Sequence, residues 1–122
     1  MHLVAGLALG LIMVLPSLAD AGAAWRPVYV HLLVMGWATQ MIFGVALWMF
    51  PRRRPLDLKT LDVTGWSCFV TLNLGLLVRA VAEPALARGA PGSVSGTVAA
   101  AALQLVSVVL FTIQIWPRVV AR

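Results

Sequence analysis

His31 is the residue of this chain best placed to do chemistry. It is one of only two histidines, and it stands inside an apolar run, residues 28–50, that is long enough to cross a bilayer. An imidazole at that depth is expensive unless it has a partner, and the partners open to it are a transition metal, a proton path or a backbone carbonyl. Tyr29 and Met35 flank it with a phenol and a thioether, and Arg26, Arg79 and Arg88 lie at the same end of the apolar segments. Guanidinium groups there can hold an anionic ligand group such as a carboxylate. His2 falls at the opposite end of the pattern and cannot share a metal with His31 within one chain. Cys68 is the only cysteine and makes no intrachain disulfide. The four acids, Asp20, Asp57, Asp62 and Glu83, all fall at the ends of apolar runs. A proton-coupled exporter or ion channel would want a carboxylate mid-membrane, so that class is disfavoured.

The elements that must position His31 follow from composition. Of 122 residues, 61% are hydrophobic and 11% charged, and the mean hydropathy is +0.96. A soluble domain of this length cannot bury so much apolar surface, so the bilayer is the expected solvent. Four apolar segments, about residues 2–18, 28–50, 61–81 and 94–116, are separated by Pro16 with Asp20–Gly22, by Pro51 and Pro55, and by Pro84 with the glycines at 89 and 92. These predict an all-α, single-domain, up-down bundle of four transmembrane helices over residues 1–122. No Lys or Arg precedes the first segment, so it reads as a retained helix rather than a secretory signal. Arg52, Arg53, Arg54 and Lys59, with Arg118 and Arg122, place both termini and the second connection on the cytoplasmic side. The expected location is a bacterial inner membrane. The net charge of +5 belongs to this topology and does not point to nucleic acid.

Two small and polar stripes need neighbours. Gly36, Gln40 and Gly44 recur every four residues, and Gln104, Ser107 and Gln114 share a face of the last segment. Small residues let backbones approach, and polar groups in lipid must find protein, so these stripes predict close packing and a homo-oligomer. The face carrying His31, Met35, Ala38 and Ile42 is otherwise apolar.

The run His31-x4-Gly36-Trp37-x6-Gly44-x6-Pro51-Arg52 resembles the tenth helix of the catalytic subunit of C-type haem–copper oxygen reductases and nitric oxide reductases. The stretches "NLGLLVRAVAEP" and "LFTIQIWPR" are similar to related haem- and copper-containing membrane proteins of nitric oxide metabolism. In that family the subunit is built of three four-helix arcs, so the resemblance implies a single arc. A homotrimer would rebuild the ring, with a dimer as the alternative. The resemblance places His31 at the axial ligand of the low-spin haem b and Tyr29 where the family has a second histidine. With two histidines, copper is not expected within one chain, and whether the chain is an enzyme stays open. The implied function is haem b binding through His31, with Tyr29 or Met35 near the iron and Arg26, Arg79 and Arg88 near the propionates, for electron transfer or gas sensing with an unidentified redox partner. A haem-free structural or accessory oligomer of the same architecture is the alternative. Reporter fusions placed after Lys59 and after Arg88 are expected to report opposite compartments. The same compartment for both would refute this topology.

Overall fold

The computed structural model of the chain describes residues 1–15, 19–50 and 58–120. Among these residues every regular element is helical: α1 (His2–Val14), α2 (Ala19–His31), a π-helical segment (Leu32–Ala38), α3 (Thr39–Met49), α4 (Leu58–Ala87) and α5 (Ser93–Val120). The second, third and fourth of these join end to end. Three stretches, Ala24–Met49, Val63–Ala87 and Ser93–Val120, are long and apolar enough to cross a membrane. α1 has 13 residues, a rise of about 20 Å against the ~30 Å of a hydrocarbon core. Four spanning segments are expected from the sequence; among the described residues there are three and a shorter apolar helix. The basic run Arg52, Arg53 and Arg54, Asp57 and Arg122 lie outside the described residues.

Prolines set where two helices stop. Leu15 and Phe50 each precede a proline and are extended, with ψ of 123° and 114°. The pyrrolidine ring disfavours helical backbone in the residue before it, so α1 and α3 end there. Pro84 and Pro117, by contrast, are inside α4 and α5. The sequence puts the end of the third segment at Val81, but α4 continues six residues further, to Ala87. A proline removes one helical N–H bond, which a packed neighbourhood in a membrane protein tolerates, and Pro84 is fully buried. What ends α4 is Gly89. Its φ of +70° permits the left-handed turn, its N–H bonds the carbonyl of Leu86, and the N–H of Ala90 bonds the carbonyl of Ala85. This is the Schellman pattern of a glycine C-cap.

α4 and α5 form the closest pair. Gly75 sits so near α5 that a Cβ added there would lie 3.0 Å from Gln104 Cγ and 3.1 Å from the Ala100 carbonyl oxygen; one on Gly96 would lie 3.1 Å from Ala82 Cβ. Leu72, Ala100 and Ser107 are sealed in this seam. The Ser107 hydroxyl donates to the Cys68 carbonyl at 2.8 Å, and the Cys68 thiol donates back to the Ser107 carbonyl at 3.3 Å. α1 runs antiparallel to the long second helix: Gly6 faces Leu33, Gly10 faces Tyr29 and His2 faces Gly36.

The π-helical segment changes which faces coincide. The N–H of Thr39 bonds the carbonyl of Val34, five residues back, and the Thr39 hydroxyl donates to the same oxygen at 2.9 Å. Each such turn takes in an extra residue, so positions four apart on either side of it drift off a common face. Gly36 is accordingly buried against α1, while Gly44 has nothing within 4 Å of its missing side chain. Gly75→Val is therefore expected to force α4 and α5 apart and to cost ~1–3 kcal/mol, as overpacking does. Gly44→Ala should be neutral or stabilising by up to about 1 kcal/mol, because alanine is the better helix former and finds open space. Thermal unfolding of the two variants in detergent checks this contrast.

Candidate functional site

Three ionisable side chains from two helices meet where α2 ends against the last turns of α4. His31 donates from Nδ1 to the Pro27 carbonyl oxygen at 2.8 Å. A carbonyl only accepts, so that nitrogen carries the proton. The same Nδ1 lies 3.6 Å from Glu83 Oε1, and that oxygen receives Arg79 Nη1 at 2.7 Å. Arg79 and Glu83 are four residues apart on α4 and therefore stack on one face. Both are about nine-tenths buried, while the imidazole is about 30% exposed. Arg79 Nε and Glu83 Oε2 are buried with no hydrogen-bond partner among the described residues. His31 Nε2 makes no hydrogen bond among the described residues. The ring is thus held from one side and free at the other, the arrangement that fixes a histidine as a metal ligand or a proton carrier.

Glu83 is the residue that reading the sequence misses. Counted as a loop acid beyond Val81, it is instead inside α4 and buried, because the helix passes through Pro84. The available signal was the i,i+4 spacing of Arg79 and Glu83, which lets a helix neutralise both in lipid.

Of the residues expected around a cofactor, the structure brings together His31 and Arg79. Arg26 and Tyr29 instead line a groove between α1 and α2. Arg88 is exposed just past the end of α4. Met35 is half-buried in the π-helical segment, its sulfur 3.8 Å from the Thr39 hydroxyl. Among the described residues no group of three or more His, Cys, Asp or Glu could hold a metal ion. A single imidazole is what the site offers. Comparison with protein-family models, with curated proteins and with solved structures finds no match to this chain.

The small and polar stripes are used mainly inside the protomer. Gly36 accepts the close approach of His2, and Gln40 Nε2 donates to Asn73 Oδ1 of α4 at 3.3 Å. Gln104, Ser107 and Gln114 are buried on α5, with Gln104 beside Gly75 and Gln114 beside Gly65. Gly44 alone of the six opens onto space, a cavity of about 160 Å³ walled by Phe43, Phe111 and Cys68. Phe43 and Phe111 stack there face to face with ring centroids 3.8 Å apart.

The Arg79–Glu83 pair makes a stability test. Glu83→Gln leaves a guanidinium that cannot lose its charge, and the loss of one partner of a buried pair is expected to cost about 3–5 kcal/mol. Replacing both, as Arg79→Met with Glu83→Met, should restore most of that loss, since apolar residues of similar volume often substitute for a buried pair. Unfolding midpoints of the single and double variants in one detergent decide it. A single variant as stable as the parent would show that the pair contributes nothing.

Proposed function

We propose that this chain is a small integral membrane protein that holds haem b through Nε2 of His31 and serves electron transfer or gas sensing as a homo-oligomer, with a trimer favoured, in a bacterial inner membrane. The observation that carries the reading is the way the imidazole is held. Its Nδ1–H is committed to the Pro27 carbonyl with the Glu83 carboxylate behind it, and Nε2 is left without a protein partner among the described residues. Ligating histidines are held in this manner, because the outer hydrogen bond sets the tautomer and raises the basicity of the inner nitrogen. The resemblance of His31-x4-Gly36-Trp37 to the haem-bearing helix of the oxygen and nitric oxide reductases supports the same assignment.

Bound there, haem would supply a reversible one-electron change and an open or exchangeable iron position. The chain itself would supply the ligand, a fixed ring orientation and a neutralised second sphere. Arg79 gives one of its N–H groups to Glu83, which balances its charge and weakens it as a propionate partner while leaving its other donors. Arg88, exposed at the same end of α4, is the cation open to that role. In the favoured trimer His31 would be the only histidine held by each haem, with Tyr29 or Met35 as the other candidate ligands of the chain. A twofold dimer, by contrast, could bring two His31 side chains to one haem.

A haem-free accessory oligomer is the second reading, and the Arg79–Glu83 pair favours it. The pair neutralises the charge in the cluster without any cofactor. Glu83 also provides the intramembrane acid that an exporter or channel would need, although it is held by Arg79.

Purified with haem available, the protein is expected to show a Soret band that His31→Ala abolishes and His2→Ala leaves intact. Its mass in detergent should correspond to three 13.1 kDa chains. A colourless parent protein that takes up no added haem would end the haem reading in favour of the accessory one.

A further inference from the structure

Between α1 and α2 runs an open apolar groove of about 590 Å³, with Leu7, Gly10, Leu11 and Val14 along α1 and Arg26 and Tyr29 along α2. We propose that it binds an anionic phospholipid, with one acyl chain lying along α1 and the phosphate on Arg26. The proposal does not depend on haem.

Three observations make the groove and choose its occupant. Gly10 lets the Tyr29 ring lie against α1, where a Cβ would stand 2.8 Å from Tyr29 Cε2, so the floor is closed by an aromatic face. Leu7, Leu11 and Val14 are exposed beside it, which is the surface a chain of methylenes covers. Arg26 stands at one end of the groove, exposed, with no hydrogen bond or ion pair among the described residues. It is the third residue of the membrane-crossing stretch Ala24–Met49, beside the exposed Trp25. An Arg–Trp pair at the start of a span marks headgroup depth. The apolar wall therefore meets a bare cation where a bilayer presents its phosphates.

Charge complementarity favours lipid over a second copy of the chain. Glu83 is the only carboxylate among the side chains described, and it is buried with Arg79. A copy of the protein would bring further positive charge, since the net charge is +5. At headgroup depth the bilayer offers an anionic phosphate as the partner.

The full chain, reconstituted in nanodiscs of phosphatidylcholine with a minor share of phosphatidylglycerol, is re-extracted, and its retained lipid is read by native mass spectrometry. Retained phosphatidylglycerol is expected to exceed its share by about fivefold, the ratio equivalent to ~1 kcal/mol for one basic residue at an anionic surface. Arg26→Gln should remove the enrichment while leaving total retained lipid unchanged. Leu11→Trp, which fills the groove from an exposed position, should lower retention of both lipids. No enrichment in the parent protein, enrichment that survives Arg26→Gln, or retention unchanged by Leu11→Trp would each overturn the proposal. So would efficient disulfide formation between copies carrying Leu11→Cys, which would give the groove to a second protomer.

Discussion

A polar group placed in hydrocarbon must find its partner within the protein, and the contacts that join these helices are largely answers to that demand. Ser107 and Cys68 exchange hydrogen bonds across α4 and α5, each side chain reaching the other's backbone carbonyl. Gln40 reaches Asn73 from the long second helix to α4, and Arg118 reaches the carbonyls of Leu47 and Phe50 past the end of α3. Water would satisfy all of these groups without folding. In lipid the alternative is an unsatisfied group costing several kcal/mol, so the polar contacts set which helix faces which. Glycine and alanine then set how near the helices come, and Gly75 and Gly96 bring α5 to within contact distance of the α4 backbone and side chains.

The same demand explains the cluster at Glu83. A carboxylate, a guanidinium and an imidazole are each costly there alone. Together they offset that cost: Glu83 Oε1 accepts from Arg79, the acid–arginine pair sums to zero charge, and the imidazole beside them donates to the Pro27 carbonyl. The arrangement also ties α2 to α4 at the level where the helical pattern changes from α to π. Thr39 closes that segment by giving both its N–H and its hydroxyl to the Val34 carbonyl. His31 thus sits between a backbone anchor at Pro27 and a segment whose turns are wider than those before and after it. Such π-helical insertions commonly accompany functional side chains, because they re-aim one residue without breaking the helix.

Most of the large apolar side chains face outward, including Leu11, Trp48, Trp66, Leu77, Val81 and Trp116. For a soluble protein this would be a defect, whereas for a membrane protein it is the solvated surface. The interior is accordingly narrow and is built from small or polar residues. Leu72, Leu76 and Val28 are among the few larger apolar groups that are buried.

Composition and spacing alone determined a great deal of this. The apolar runs, the prolines after Leu15 and Phe50 and the basic ends follow from solvent transfer and backbone sterics, which act locally and can be read along the chain. The two polar stripes were legible for the same reason, since a polar residue every third or fourth position in lipid must meet protein. Tertiary structure decided which protein they meet: Gln104 and Ser107 turn to α4 of their own protomer, and no periodicity distinguishes that from another copy. It decided the fate of Glu83, because α4 runs on through the buried Pro84. The helices α2 and α5 likewise run on through the exposed Pro27 and Pro117, so a proline in the sequence does not itself say whether the helix stops there. It also parted Arg26 and Tyr29 from His31. Residues within five positions of one another looked like a single site, but α1 claims one face of the second helix and α4 another. Proximity in sequence is local chemistry, whereas facing the same partner depends on where the other helices pack.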